Sequence, residues 1–176
     1  MFVCNLLQHV CLRLPSIHRL LGFEKLLLPR PHEVSLMAQP NVNIICWNVR
    51  GLNSRARRDA VRDIVRDSHA SIVCLQETKL QAVDDVIIRE MLGPCFVANY
   101  YILPAVGTRG GLILAASDRF FTLSDFHATP GSISATITML NEHTSWTITG
   151  VYGPPGEQAK VAFIGELRAL NTVARS

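Results

Sequence analysis

NIICWNVRGLNSRARRDAVRDIVRDSHASIVCLQETKL, residues Asn43 to Leu80, passes from strand character to helical spacing and back again. Asn43–Val49 is a short apolar run of strand length, and Gly51-Leu-Asn-Ser closes it. Asn53 or Ser54 is placed to cap a helix that runs to about Asp67, with Ala60, Val61, Ile64 and Val65 as its buried stripe. Ser71–Leu75 then reads as a second strand, apolar enough to be covered on both faces. Strand, helix and strand in this order predict a sheet with helices against it.

The pattern extends downstream. An amphipathic helix is expected near Ala82–Leu92, stopped by Gly93-Pro94. Phe96–Leu103 is aromatic and strand-like, Gly107–Gly111 is a turn, and Leu112–Ala116 is a further strand. Ser132–Leu140 sets Ile133, Ala135, Ile137 and Met139 on one face against Ser134, Thr136, Thr138 and Leu140 on the other. Asn141-Glu-His-Thr makes a hairpin into Ser145–Tyr152, and Gly156–Ala169 returns to helical spacing through Val161, Ile164, Leu167 and Leu170. Strands dominate the middle and helices bracket them, so the class is α/β or α+β.

Composition agrees with a folded domain. Of 176 residues 48% are hydrophobic and 18% charged, which excludes a disordered chain, a collagen, a coiled coil or an acidic tail. Lys and Arg total 17 against 14 Asp and Glu, a net charge of +3 that permits a nucleic-acid or phosphate ligand without demanding one. The five cysteines, Cys4, Cys11, Cys46, Cys74 and Cys95, are odd in number and scattered, which suits neither a disulfide framework nor a zinc ribbon. Cys46 and Cys74 sit in apolar runs, where cysteine is a small hydrophobe. This usage predicts a reducing compartment; the location expected is intracellular, the nucleus first.

Residues 1–40 differ in character from the rest of the chain. The segment is leucine-rich and punctuated by Pro15, Pro29 and Pro31, and it is expected to be a leader or extension outside a domain of residues 41–176. Arg13, Arg19 and Lys25 interrupt every apolar stretch before the roughly 18 residues a membrane span needs. Met37 resembles an original start; alternatively, Arg13 and Arg19 ahead of the first acid, Glu24, suit a transit peptide for mitochondrion or plastid.

The chemistry gathers where strands end. Asn48 closes the first strand and Glu77 follows the second, so both fall near the carboxyl ends of neighbouring strands, the usual ligand crevice of a helix-covered sheet. A carboxylate there suits Mg²⁺ or Mn²⁺, which take oxygen ligands and retain waters. An amide beside it can orient a phosphoryl oxygen or a water without adding charge. Tyr152 ends a third strand ahead of Gly153-Pro154-Pro155, and its phenol can donate to a phosphate oxygen. Acid, amide and phenol together make a set for metal-assisted phosphoryl chemistry.

Each residue also has a plainer reading. Glu77 alone would be a loop acid, Asn48 a turn residue and Tyr152 a packing aromatic. Trp47 reads as core, and Gly110 and Gly111 as a tight turn or close backbone approach, with a phosphate contact as the alternative. The histidines read as surface residues. Among the arginines after the first strand, Arg50 and Arg55 are the better phosphate candidates beside Arg57 and Arg58. Arg58, Arg62 and Arg66 form a helical stripe beside Asp59, Asp63 and Asp67, as surface ion pairs do.

The stretches WNVRGLN (Trp47–Asn53), CLQETKL (Cys74–Leu80), TRGGLIL (Thr108–Leu114) and GVYGPP (Gly150–Pro155) occur in that order. Together they resemble the endonuclease/exonuclease/phosphatase superfamily, nearest its apurinic-type endonucleases and the nuclease domains of plant non-long-terminal-repeat retroelements. The match runs from about Val42 to Leu170 and corresponds to the amino-terminal half of that domain. The resemblance implies a four-layered α/β/β/α sandwich and Mg²⁺- or Mn²⁺-dependent hydrolysis of phosphoesters. It makes Glu77 the metal ligand, Asn48 the active-site amide and Tyr152 the active-site tyrosine. DNA is the expected partner and substrate.

Family members continue with a Gly-Asp-Phe-Asn type motif and finish with a Ser-Asp-His type motif, neither of which occurs in these 176 residues. Asp125-Phe126-His127 looks similar but falls too early, between strands, and neither His127 nor His143 has a matching context. The domain is therefore expected to lack its carboxyl-terminal part, and the polypeptide by itself to turn over little. Three functions stand open: a nuclease-type domain, possibly retroelement-derived in ancestry; a phosphatase of the same superfamily acting on a small phosphoester; and a non-catalytic nucleic-acid-binding remnant.

Overall fold

Two β-sheets face each other in a computed structural model that describes residues 2–4, 10–14, 42–153 and 159–165. The five-stranded sheet runs in the order β2 (Val10–Leu14), β3 (Val42–Asn48), β4 (Ile72–Gln76), β6 (Leu112–Ala116) and β5 (Tyr100–Leu103). The four-stranded sheet runs β1 (Phe2–Cys4), β9 (Ser145–Val151), β8 (Ser132–Met139) and β7 (Phe121–Thr129). β3 and β4 are parallel, joined by the helix α1 (Arg55–Asp67), while β4–β6 and β5–β6 are antiparallel.

The side-chain period of two in each strand builds both cores. Ile44, Ile72, Cys74, Leu112 and Leu114 point from the first sheet toward Phe121, Ile133, Ala135, Ile137 and Ile148 of the second. The alternate residues Ile45, Val73, Leu75, Ile113 and Ala115 face the helices. All of β4 is buried, as a strand covered on both faces requires. Gly150 allows the two sheets to approach, because a Cβ there would stand 2.6 Å from Cys74 Sγ. The fold is thus the mixed α/β sandwich that the motifs imply.

Several local expectations shift. In α1, Val61 and Val65 are buried, but Ala60 is exposed and Ile64 partly so, which narrows the stripe. Ser54 holds the N-cap position without a side-chain cap bond. The second helix, α2 (Asp85–Met91), starts later than Ala82 because the Asp84 side chain accepts from Ile87 N–H at 2.9 Å and fixes the first turn there. Pro94–Phe96 forms a 3₁₀ turn, so the aromatic strand begins at Tyr100.

β7 carries little sequence signal, since only Phe121 in it is fully buried and most of the rest is exposed. Asp125-Phe126-His127 therefore lies inside a strand rather than between strands. Asp125 takes a positive φ of 50°, the register slips between Ser124 and His127, and Phe126 stacks on Tyr101 with ring centroids 4.5 Å apart.

A third helical segment, 159–165, buries Phe163 against Gly131 and Gly153 beside the four-stranded sheet. Val161 and Ile164, two of the residues that carry its helical spacing, are 73% and 49% exposed; Leu167 and Leu170 lie outside the described residues. Phe2–Cys4 and Val10–Leu14, within the segment read as a leader, pair with β9 and β3. The expectation of reduced thiols throughout is corrected at Cys46, which is disulfide-bonded. Cys74 is a buried free thiol. No helix among the described residues is long and apolar enough to cross a membrane.

Candidate active site

Three loops meet at the carboxyl end of the β3–β4 pair. Asn48 and Gln76 are the last residues in register, so the chain leaves both strands at the same height. On one side Val49 N–H donates to Gln76 O at 2.9 Å and Leu52 N–H to Thr78 O at 2.8 Å. On the other, Thr78 N–H donates to Gly111 O at 3.1 Å and Lys79 N–H to Gly110 O at 3.0 Å. The segment Glu77–Lys79 is therefore stitched along both flanks.

That stitching holds an unfavourable backbone. Glu77 and Lys79 adopt φ of 53° and 56°, a left-handed conformation that costs a non-glycine residue on the order of 1 kcal/mol. Gly111, at φ +86°, has no room for a side chain: a Cβ would collide with Thr78 Oγ1 and stand 3.2 Å from Lys79 N. The two glycines thus serve a close backbone approach to the Glu77 loop, one of the alternatives their sequence left open.

Asn48 and Glu77 are brought together directly. Asn48 Nδ2 donates to Glu77 Oε1 at 2.9 Å, while Asn48 Oδ1 accepts from Arg50 N–H at 3.2 Å. Both ends of the amide are engaged, which fixes its orientation. The second Glu77 carboxylate oxygen has no hydrogen-bond partner among the described residues. Those residues contain no cluster of three or more His, Cys, Asp or Glu side chains able to hold a metal. The donor set is the remaining carboxylate oxygen of half-buried Glu77, which fits a hard cation that keeps several waters.

Tyr152 stands at the same end, its N–H donating to Gly131 O at 2.7 Å. The phenol is held above the ordinary tyrosine range, first by desolvation and then by the negative charge of Glu77, with the positive charge of Arg109 opposing. Asn48, Glu77 and Tyr152 are accordingly one neighbourhood. Arg109, inside the TRGG stretch but not singled out from the sequence, belongs to it too. Its adjacency to the paired glycines was the available signal, since those glycines abut the Glu77 loop.

The other basic residues divide. Arg57 Nη1 donates to Arg50 O at 2.9 Å and Gly51 O at 3.2 Å, and Arg58 Nη1 to Leu52 O at 3.0 Å and Asn53 O at 3.3 Å. Both brace the loop after β3, and Arg58 also reaches Glu90 of α2 at 3.5 Å. Arg50 remains an exposed cation at the rim. Arg55 is exposed at the start of α1, 4.0 Å from Asp59. Arg66 pairs with Asp63 and Asp67, both at 3.0 Å, as expected of a solvated helix face. Trp47 packs into the helix-side core, and His69, His127 and His143 are exposed.

Comparison with known proteins agrees with this architecture. Residues 45–171 match the sequence model of the Endonuclease/Exonuclease/phosphatase family. Among solved structures, the human Nocturnin catalytic domain with bound sulfate is similar, with a TM-score of 0.51 at 12% identity; the match covers 74% of this chain and 59% of that domain. A conserved protein of unknown function from Enterococcus faecalis V583 matches with a TM-score of 0.45 at 13% identity, over 62% of this chain and 50% of that one. An AP endonuclease from Leishmania major gives 0.42 at 18% identity, over 61% and 39%. The chain thus spans at most about three-fifths of the length of these structures. No curated protein matches the sequence.

Proposed function

The chain belongs to the Endonuclease/Exonuclease/phosphatase family, and from that premise we propose that it carries the Glu77 part of a divalent-metal-dependent phosphodiesterase. The substrate is the nucleic-acid backbone, DNA in the first instance, and water is the nucleophile. The branch proposed is that of the apurinic-type and retroelement endonucleases. The observation that carries the proposal is the Asn48–Glu77 hydrogen bond at 2.9 Å, which presents one carboxylate oxygen at the strand ends in a fixed direction.

Glu77 would hold Mg²⁺ or Mn²⁺ with waters in the remaining positions. When bound, the ion supplies Lewis-acid polarisation of a phosphoryl oxygen. Asn48 restrains the carboxylate rotamer, so little conformational freedom is lost on binding. Tyr152 stays protonated well above neutral pH and is therefore a hydrogen-bond donor toward a phosphoryl oxygen. Arg50 and Arg55 lie on the side of the β3 loop and the start of α1, where they would contact flanking phosphates in a salt-sensitive way. The Asp-Asn and Asp-His motifs that the resemblance also implies do not occur in these 176 residues.

Titration with Mn²⁺, followed by loss of the free-ion electron paramagnetic resonance signal, tests the proposal. Wild-type protein binds and Glu77→Gln does not; equal affinity of the two overturns the assignment. Nicking of supercoiled plasmid, set beside hydrolysis of a phosphomonoester, separates the phosphodiesterase from a phosphatase.

A further inference from the structure

A cavity of about 180 Å³ opens beside Tyr152 on the side of Arg109. Leu103, Pro104, Val106 and Pro130 wall it together with the Tyr152 ring, and among the described residues Arg109 is the one charged residue in its lining. Its floor is glycine backbone: a methyl group added at Gly110 would stand 3.8 Å from the Tyr152 ring.

The walls are fixed before any ligand arrives. Val106 and Arg109 exchange backbone hydrogen bonds of 3.0 and 3.2 Å, and Ala105 N–H donates to Leu80 O at 2.8 Å, tying the wall to the loop that carries Glu77. Two of the wall residues are prolines, whose φ is locked. A pocket formed in advance spares the ligand the cost of ordering it.

We propose that this cavity receives the unpaired base of a nucleotide adjoining the scissile phosphate, with Arg109 countering that nucleotide's phosphate. The inference rests on the phosphodiesterase reading of Glu77 and extends it to the form of the substrate. An apolar slot with a single cation at its edge matches a ligand having a flat, weakly polar body and an anionic tail. A polyol phosphate has no such body. A base pair is too large for the space, so the base must leave its partner or come from a single strand. Tyr152 links the two halves of the site, because its ring walls the cavity while its hydroxyl lies in the fields of Glu77 and Arg109.

Binding of thymidine 5′-monophosphate and of deoxyribose 5-phosphate to the full chain, measured by calorimetry, tests this. The nucleotide is expected to bind at least about tenfold tighter, the increment that stacking one base supplies. Val106 is 86% exposed at the lip, so the uncharged Val106→Gln leaves the fold intact. That variant should abolish the tenfold preference while keeping sugar-phosphate binding, because it adds no charge beside Arg109. Arg109→Ala should weaken both ligands alike. A single-stranded thymidine tetranucleotide that binds tighter than the mononucleotide identifies a strand as the source of the base; the reverse order identifies a free nucleotide. Equal affinity for nucleotide and sugar phosphate, no binding of either, or a preference that survives Val106→Gln overturns the proposal. Mn²⁺ binding that persists in a protein without the preference sinks the pocket alone; loss of Glu77-dependent Mn²⁺ binding sinks the reading beneath it.

Discussion

Asn48 and Glu77, 29 residues apart in sequence, share a hydrogen bond of 2.9 Å because β3 and β4 are parallel and end in register. Parallel pairing sends both chains out of the sheet at the same edge, and α1 supplies the crossover that makes the pairing possible. The carboxylate is therefore oriented by topology first and by the amide second.

Removing the amide tests that order. Asn48→Ala leaves the Glu77 loop stitched to Gly110 and Gly111 but frees the carboxylate rotamer. Mn²⁺ affinity should fall by about 10-fold, the lower end of what orienting partners of metal ligands contribute, with the melting temperature little changed. An affinity within twofold of wild type would mean that the backbone positions Glu77 without help.

Tyr152 offers a reading of the site's electrostatics without any metal. Its phenol is held up mainly by desolvation and secondarily by Glu77, with Arg109 opposing. Tyrosinate absorbance, taken as the difference between wild type and Tyr152→Phe, should titrate above the ordinary value of about 10. Glu77→Gln should lower that midpoint without restoring it fully, because desolvation remains, and Arg109→Ala should raise it. A midpoint indifferent to Glu77 would place the two side chains out of each other's field.

The convergence of the candidate residues was legible in the sequence because the motifs sit at strand ends, where period-two runs stop and chemistry-bearing residues begin. Asn48, Glu77 and Tyr152 fall in one neighbourhood for that reason. Arg109 was passed over: its place depends on a hairpin folding back beside Tyr152, and the paired glycines next to it were the local signal of that approach. β7 was missed because an edge strand with one fully buried residue lacks alternation, and its bulge at Asp125 breaks what remains. Helix 159–165 was read by period, but the period does not say which stripe meets the protein. Phe163 took that place because Gly131 and Gly153 leave room for its ring.

Burial of Cys74 makes stability depend on alkaline pH. Desolvation pushes its thiol from about 9 up to about 12. The folded state therefore favours the protonated form, and this contribution is complete below pH 9 and lost as pH climbs from 9 toward 12. The slope reaches about 1.4 kcal/mol per pH unit from this one group. Tyr100 and Tyr152, both raised, add in the same direction at higher pH. Urea unfolding between pH 8 and about 11 should show the decline, and Cys74→Ala should flatten its first part. In the native protein a thiol reagent should modify half-buried Cys95 well before Cys74.

The same thiol sets the distance between the sheets. Gly150 lies in β9 opposite Cys74, and a Cβ at Gly150 would stand 2.6 Å from the sulfur, closer than packed atoms allow. Glycine to alanine in a strand ordinarily stabilises by about 0.4–1 kcal/mol through the unfolded chain. Overpacking a core of this density costs about 1–3 kcal/mol, so the clash should win and Gly150→Ala should lower stability. Cys74→Ala removes the obstructing atom and leaves a small cavity at modest cost. In that background Gly150→Ala should become neutral or stabilising, a coupling of about 1–3 kcal/mol measurable by denaturant melts of the four proteins in the cycle. Additive effects would mean that the sheets part to admit the methyl group. The Asn48–Glu77 bond, made by β3 and β4 within one sheet, should then survive that parting with its Mn²⁺ affinity unchanged.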